Sequence, residues 1–283
     1  MTPRVAIATV NWNTRPLLEL LLDSIDQHTP EPHRVYVADN GSSDGSQSFL
    51  RKRPGVVLVE TGSNIGHAPA LERIAATVDE DFLLCLDSDT HVYRTGWLSA
   101  LFAHLDDRTR AVGYQSGFGG DPELVGRSLH AFCLLIDLRP FRERGKAVEF
   151  MPVVRDGRQV ADVAARVSLD LQEMGYETES LMSNDETKTV PDEQRRYPAA
   201  PGREYHDGAG NFFIFHLFYG SQPYLRKRNV LTVHGLLKVA YADIDPRRRV
   251  ALGLVRYYLR CLFTPALTRR VLLGPLRLTR RGA

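Results

Sequence analysis

The stretch "FLLCLDSDTHVY", residues 82–93, places Asp87 and Asp89 one residue apart at the end of an apolar run that is typical of a buried strand. On an extended chain the side chains at i and i+2 point to the same side, so the two carboxylates would face one small target. Two unpaired carboxylates that close repel each other. A divalent cation, a basic partner or solvent relieves the repulsion, and the rest of the sequence has to indicate which.

Short β-branched or apolar runs repeat along the first 90 residues, separated by stretches with helical spacing. The runs are "RVAIATV", "RVYVADN", "VVLVE" and "FLLCLD". This βαβαβαβ pattern predicts an α/β fold with a Rossmann-like, doubly wound and mostly parallel sheet. The ligand crevice of such a sheet lies at the carboxyl ends of its strands.

Polar residues stand at all four predicted strand ends, which places them on one crevice. They are Thr9 and Asn11, Asp39 and Asn40, Asn64 and Gly66, and Asp87 and Asp89. The segments "DNGSSDGS" (39–46) and "GSNIGHA" (62–68) fit two interpretations, either turns that begin helices or loops that contact a nucleotide. Neither GxGxxG nor GxxxxGK[ST] is present, which argues against a dehydrogenase or a P-loop protein.

Composition indicates an ordinary globular protein of 283 residues with 43% hydrophobic residues. The net charge of +2 is uneven, because residues 246–283 hold ten arginines and no acidic residue, which leaves 26 basic against 34 acidic residues before them. The three cysteines lie far apart and predict neither a disulfide framework nor a zinc site. With a first strand starting by Val5 and no long apolar run, we expect a cytoplasmic protein without signal peptide or membrane span.

The ordered set "VNWNT", "DNGSSDGS", "NIG", "LLCLDSDT" and "GWL", within residues 5–98, resembles the family 2 glycosyltransferases of the GT-A fold. The resemblance implies a metal-dependent, inverting glycosyltransferase that moves a sugar from a UDP, dTDP or GDP sugar to an acceptor hydroxyl. The acceptor would be a glycan, a lipid-linked sugar or a small-molecule natural product.

The resemblance also assigns roles to residues of the strand ends. It implies that Asp39 contacts the nucleobase and that Thr9 and Asn11 line the nucleoside pocket. The donor site would further include Asn64, Gly66, Asp87 and Ser88. Asp87 and Asp89 would engage Mg²⁺ or Mn²⁺, hard cations that carboxylate oxygens suit.

The catalytic base is expected before an amphipathic helix that ends in Gly-Tyr, as in many family members. The segment "ADVAARVSLDLQEMGYE", residues 161–177, has this helix and ending but lacks the usual Glu-Asp pair. Asp162 matches a variant of the motif with a single Asp, and we predict that it is the base; the alternative is a helix N-cap. Asp170 and Glu149 are weaker candidates.

A third metal ligand is expected in "NFFIFHLFYGSQ", residues 211–222, where His216 resembles the histidine that closes the metal site in many GT-A enzymes. The alternative is a core histidine, and His206 and His234 compete for the ligand role. The chain departs from the family at Glu72 and Ile74, where members often have Asn and Gly.

Residues 1–240 are predicted to form the catalytic domain, with a nucleotide-sugar half (1–100) and an acceptor half (101–240). Residues 178–210 are polar and are either a lid, an acceptor wall or a disordered loop. Residues 241–283 are predicted to be a basic amphipathic helical tail, with Arg249, Arg256 and Arg260 on one face. The tail either docks on the domain or makes peripheral contact with an anionic membrane at its inner face. Nucleic acid is not an expected partner.

Two other classes of protein share parts of this pattern. A sugar nucleotidyltransferase would open with a glycine-rich, basic loop, where this chain has "VNWNTRP". A non-catalytic nucleotide-sugar-binding protein would explain the missing Glu-Asp pair. Turnover distinguishes this second alternative from an enzyme.

Overall fold

The computed structural model describes residues 4–115, 124, 127–181, 203–208 and 210–216. The strands are β1 (Val5–Asn11), β2 (His33–Asp39), β3 (Val56–Glu60), β4 (Phe82–Leu86), β5 (Thr90–Val92), β6 (Thr109–Gln115), β7 (Leu129–Asp137), β8 (Val153–Arg155), β9 (Arg158–Ala161), β10 (Glu177–Ser180), β11 (Arg203–His206) and β12 (Phe212–His216). The helices are α1 (Arg15–His28), α2 (Ser46–Leu50), α3 (His67–Ala75), α4 (Trp97–Phe102), α5 (Arg139–Glu143) and α6 (Ala165–Glu173). The predicted tail and His234 lie outside these ranges.

A seven-stranded sheet in the order β10-β6-β7-β4-β1-β2-β3 forms the centre of the fold. The pairs β1–β2, β1–β4, β2–β3 and β10–β6 are parallel, whereas β7 runs antiparallel between β4 and β6. The predicted mostly parallel, doubly wound α/β sheet is therefore confirmed. The antiparallel strand β7 is an addition that the sequence pattern did not indicate.

Both faces of the sheet are covered, as the continuous apolar runs predicted. Along β1, Val5 and Ile7 pack into one core cluster together with Leu18 of α1, and the intervening residues face the other cluster. That second cluster contains Ala6, Ala8 and Leu71 of α3. Because the helices occupy the two faces, the strand ends remain the place where polar side chains can gather.

Helix α6 is shorter than the segment 161–177 that was expected to be helical. Its C-terminus is a Schellman motif, in which Gly175 has φ 88° and the Tyr176 N–H donates to the Leu171 carbonyl at 2.9 Å. Its N-cap residue is Ala164, which lacks a side-chain capping hydrogen bond. Asp162 therefore does not cap the helix, and the capping alternative is wrong.

A second, three-stranded sheet in the order β11-β12-β5 lies beside the first. Part of the region that we expected to be a polar loop is thus strand, since Glu177–Ser180 joins the main sheet and Arg203–His206 joins the small one. Across the ranges that the structure describes, every helix is too short or too polar to span a membrane.

Candidate active site

The two aspartates of the DxD sequence occupy a turn between β4 and β5. The Thr90 N–H donates to the Asp87 carbonyl at 3.0 Å, which closes a four-residue β-turn. The Asp87 N–H in turn donates to the Phe132 carbonyl of β7 at 3.1 Å. The expectation of an extended segment was wrong, and the turn instead brings the two carboxylates to the same side.

Asp87, Asp89 and His216 form a compact cluster whose potential metal-ligand atoms all lie within 4.8 Å of one another. The His216 Nε2 atom is 3.4 Å from Asp87 Oδ2 and 3.3 Å from Asp89 Oδ1. The sheet topology explains why the three residues lie close together, because β12 pairs antiparallel with β5 and sets His216 opposite Thr90. The three predicted metal ligands are therefore adjacent in space.

The charges of this cluster shift the pKa values of its members. Burial lowers the pKa of His216, but the charges of Asp89 and Asp87 outweigh burial and raise that pKa to about 9. Burial also raises the pKa of Asp87, but the hydrogen bond from His216 and the charge of His67 hold this pKa well below its usual range. At neutral pH an imidazolium thus relieves the carboxylate repulsion, and a cation bound here would have to displace its proton.

The donor set fits a hard divalent cation. It offers two carboxylates and one imidazole nitrogen, without a thiolate. Mg²⁺ and Mn²⁺ typically take one or two protein carboxylates and fill their remaining positions with phosphate oxygens and water. The Asp87 side chain is 20% exposed, so the cluster opens toward the crevice.

His67 is a site residue that the sequence analysis missed. It begins α3 directly after "NIG", and its Nε2 atom lies 3.5 Å from Asp87 Oδ1. A single histidine after a glycine loop carries little signal in a sequence. The parallel pairings β3–β2, β2–β1 and β1–β4 align the ends of these strands and bring His67 beside Asp87.

Asp39, the predicted nucleobase contact, is fully buried at the end of β2. Its Oδ1 atom accepts hydrogen bonds from the Ser42 N–H at 2.9 Å and from Gln47 Nε2 at 2.8 Å. Its Oδ2 atom accepts from Asn11 Nδ2 at 2.9 Å. A carboxylate has about four acceptor positions, so within the described ranges Oδ2 has one position that none of these hydrogen bonds uses.

Asn11, which holds Asp39 by a hydrogen bond, is also fully buried. Its Oδ1 atom accepts a hydrogen bond from Thr14 Oγ1 at 2.8 Å, and Thr14 Oγ1 lies 3.0 Å from Ser88 Oγ. Because the Thr14 proton goes to Asn11, Ser88 donates to Thr14. The chain Asp39–Asn11–Thr14–Ser88 therefore connects the predicted nucleoside pocket to the DxD turn. Thr9 is buried nearby, and its hydroxyl has no partner within the described ranges.

Asn64 and Gly66 belong to the loop after β3, which packs on the loop after β2. Asn40 Nδ2 donates to Asn64 Oδ1 at 3.2 Å and to the Gly66 carbonyl at 3.0 Å. The loops touch so closely that a Cβ atom at Gly41, where φ is 71°, would lie 2.7 Å from Ser63 Cα. Two of the four polar strand ends are thus held together by backbone contact.

Asp162 lies directly after the β8–β9 hairpin and faces β7. Its Oδ2 atom is 2.9 Å from His130 Nε2, and its Oδ1 atom accepts the Val163 N–H at 2.7 Å. Burial raises the pKa of Asp162, but the hydrogen bond and charge of His130 outweigh burial, so the net shift is downward. The charge of Asp87 also raises the pKa of Asp162.

The weaker candidates for the base and the metal ligand lie elsewhere. Asp170 is fully buried between Arg166 and Lys146, with Lys146 Nζ 2.8 Å away, so it is a structural ion pair. Glu149 is exposed on a groove beside α3 and α5.

His206, the other described candidate for the third metal ligand, accepts the Gly208 N–H at its own turn and is not part of the cluster. Glu72, at a position where the sequence departs from the family, accepts the Phe150 N–H at 2.9 Å.

The sheet with nucleotide-type loops and an acidic pair at its strand ends defines an α/β protein of the GT-A class. The mannosyltransferase PcManGT from Pyrobaculum calidifontis, solved in complex with GDP-Man and Mn²⁺, matches the fold with a TM-score of 0.50 at 19% identity. The match covers 98% of this chain and 81% of that one. This likeness shows the GT-A fold.

Residues 5–155 match the family model of glycosyl transferase family 2, and the chain belongs to this family. An 81-residue segment is 37% identical to the N-acetylglucosaminyl-diphospho-decaprenol L-rhamnosyltransferase of Mycobacterium tuberculosis, in strains CDC 1551 and H37Rv. The segment is 28% of this chain and 26% of the relative, so the match spans about a quarter of the relative's length.

Proposed function

We propose that the protein is a metal-dependent inverting glycosyltransferase that moves a sugar from a nucleotide-diphosphate sugar to an acceptor hydroxyl. The observation that carries the proposal is the convergence of Asp87, Asp89 and His216 at the end of β4. These residues would hold Mg²⁺ or Mn²⁺, which offsets the charge that develops on the nucleoside diphosphate as it leaves. PcManGT, with the same fold, was solved with Mn²⁺ and a nucleotide sugar.

The donor nucleotide is proposed to lie across the loops that follow β1, β2 and β3. Asp39 keeps one acceptor position on Oδ2, which suits a single N–H donor, the N3–H of uracil or thymine or the N1–H of guanine. Asn11 and Ser42 hold this carboxylate in place, with Asn11 Nδ2 also donating to Ser42 Oγ at 3.0 Å. Donors with UDP, dTDP or GDP therefore remain the candidates.

Asp162 is proposed to be the general base. As the acceptor oxygen bonds to the anomeric carbon, the Asp162 carboxylate takes the hydroxyl proton. The bond from the anomeric carbon to the diphosphate breaks, and its electron pair leaves with the nucleoside diphosphate. Attack from the face opposite the leaving group inverts the anomeric centre, and one positioned carboxylate is sufficient for it.

A lipid-linked acceptor is the favoured one of the three acceptor classes. The relative from M. tuberculosis is named for rhamnose transfer to a decaprenyl-diphosphate-linked sugar. On this chain, Met151 and Val154 of the segment that leads to Asp162 are exposed by 48% and 58%. Exposed apolar side chains in this segment would suit the first isoprene units of such a lipid.

A donor panel tests the function. UDP, dTDP and GDP sugars are screened for a thermal shift that needs Mg²⁺ or Mn²⁺, and the stabilising donor is then incubated with short polyprenyl-diphosphate-linked sugars. We expect one donor to stabilise the protein and to give a product whose anomeric configuration, read by NMR, is opposite to that of the donor. Stabilisation without turnover would favour the non-catalytic binder, and a retained configuration would exclude single displacement.

A further inference from the structure

The first residue of interest outside the predicted site is His130, near the start of β7. It is the one position of Leu129–Asp137 whose side chain is not buried, at 21% exposure. The ring lies beside Phe132, with centroids 5.4 Å apart, and the Phe132 ring stacks on His216 at 4.6 Å. His130 and His216 of the candidate metal-ligand cluster thus both lie against the Phe132 ring.

Both ring nitrogens of His130 have defined partners, and these fix its tautomer. Nδ1 lies 3.1 Å from the Phe132 backbone nitrogen, which can only donate, so Nδ1 is the acceptor. The proton of the neutral imidazole is therefore on Nε2, which is 2.9 Å from Asp162 Oδ2. Because the Phe132 N–H uses Nδ1 and Nε2 carries a proton, His130 cannot itself accept the proton of a substrate hydroxyl.

We propose that His130 is the positioning residue of the catalytic base: its Nε2–H donates to Asp162 Oδ2 and fixes the orientation of the carboxylate toward the acceptor hydroxyl. The inference rests on the proposed function and adds a residue to it. The Val163 N–H holds the other oxygen at 2.7 Å, so the two donors together fix the carboxylate plane. His130 is well placed for this role because the antiparallel pairing of β7 with β4 puts the start of β7 beside the DxD turn.

The charged groups around Asp162 determine in which direction its pKa shifts when His130 is replaced. His130 faces it from β7, Asp87 acts from the end of β4, and Gln159 of β9 is neutral. His130 lowers the pKa of Asp162, whereas burial and Asp87 raise it. Loss of the His130 hydrogen bond therefore raises this pKa, and the acid limb of the kcat–pH profile should move to higher pH.

Three variants separate the hydrogen bond from packing. His130→Gln places an amide N–H near the Nε2 position and keeps the bond to Asp162. His130→Asn keeps an acceptor near the Nδ1 position for the Phe132 N–H but withdraws the donor from Asp162. His130→Phe keeps the ring and removes both bonds. The matched control is His104→Phe, which removes a histidine–carboxylate pair of the same 2.9 Å length, with Glu179, at the edge of the sheet.

The experiment measures kcat, donor KM and the kcat–pH profile for all four variants and the wild type. We expect kcat to fall by about 30-fold or more in His130→Asn and His130→Phe, with donor KM within about 3-fold of the wild type. The acid limb should move to higher pH, and His130→Gln should recover most of kcat. Because His130→Asn keeps the Phe132 contact, it remains informative if His130→Phe does not fold.

The outcomes for the two proposals are distinct. A wild type that binds donor but never turns over rejects the proposed function. A wild type that transfers sugar, together with His130→Asn at near-normal kcat and an unmoved acid limb, rejects the role of His130 alone. Equal losses in His130→Gln and His130→Asn would also reject it, because the hydrogen bond to Asp162 would then not be the cause.

Discussion

His216 Nε2 lies 3.3 Å from Asp89 Oδ1, although the two residues are far apart in the sequence, with Asp89 in the turn directly before β5 and His216 at the end of β12. The proposed metal site therefore depends on the β5–β12 pairing as well as on the DxD turn. His216→Phe keeps the stacking on Phe132 but removes the nitrogen ligand. We expect the apparent affinity for Mn²⁺ to fall by about 10- to 100-fold, measured by calorimetric titration in the presence of a nucleoside diphosphate.

The control for this variant is His91→Phe. His91 is a buried histidine on β5 that pairs with Phe215, one residue away from the His216–Thr90 pair and hence on the opposite face of the strand. It should leave the Mn²⁺ affinity unchanged. Equal losses in both variants would mean that His216 acts through packing and is not a ligand.

Gly41→Ala should separate the loop after β2 from the loop after β3. The new Cβ atom would lie 2.7 Å from Ser63 Cα, whereas at Gly55, with a similar φ of 76°, nothing lies within 4 Å. Both substitutions carry a left-handed backbone cost of about 1–2 kcal/mol. Gly41→Ala alone should lower the unfolding temperature further and weaken donor binding, measured by thermal melts and nucleotide titration. If the two variants behave alike, the loop contact does not matter for the donor site.

Asp162→Asn should separate donor binding from chemistry. The amide keeps the size of the side chain but cannot take a proton, so turnover should fall by roughly 100-fold or more at unchanged donor affinity. The control is Asp156→Asn, in the exposed turn of the β8–β9 hairpin, where φ is 50° and Asn is equally suitable. Kinetics beside donor titration check both variants. Near-normal turnover in Asp162→Asn would remove Asp162 as the base.

The first four strands and their polar ends could be predicted because each strand is a separate apolar run with a turn-forming residue after it. Their parallel order follows from the crossover rule, so Asp39, Asn64 and Asp87 were placed on one edge from the sequence alone. The roles of Thr9, Asn11, Asp39, Asn64, Gly66 and Ser88 in donor binding stay predictions.

The other half of the site depends on antiparallel pairings that a sequence pattern does not reveal. His130 stands before an apolar run, "AFCLLID", and nothing local distinguishes it from a histidine at the surface. His130 lies next to its partner Asp162 because β7 lies between β4 and β6 in the sheet. Non-local strand order of this kind is not encoded in hydrophobic periodicity.

The most direct test of the metal-dependent donor site is a titration of wild type, Asp89→Asn and Asp87→Asn with the best-binding nucleoside diphosphate among UDP, dTDP and GDP, in Mn²⁺ and in EDTA. If a cation links the carboxylates to the diphosphate, Mn²⁺ strengthens binding to the wild type, and Asp89→Asn abolishes this gain while Asp87→Asn reduces it. In EDTA the same variants should bind as well as the wild type or better, because each removes a negative charge that repels the diphosphate. Wild-type affinity in Mn²⁺ for both variants would contradict the account.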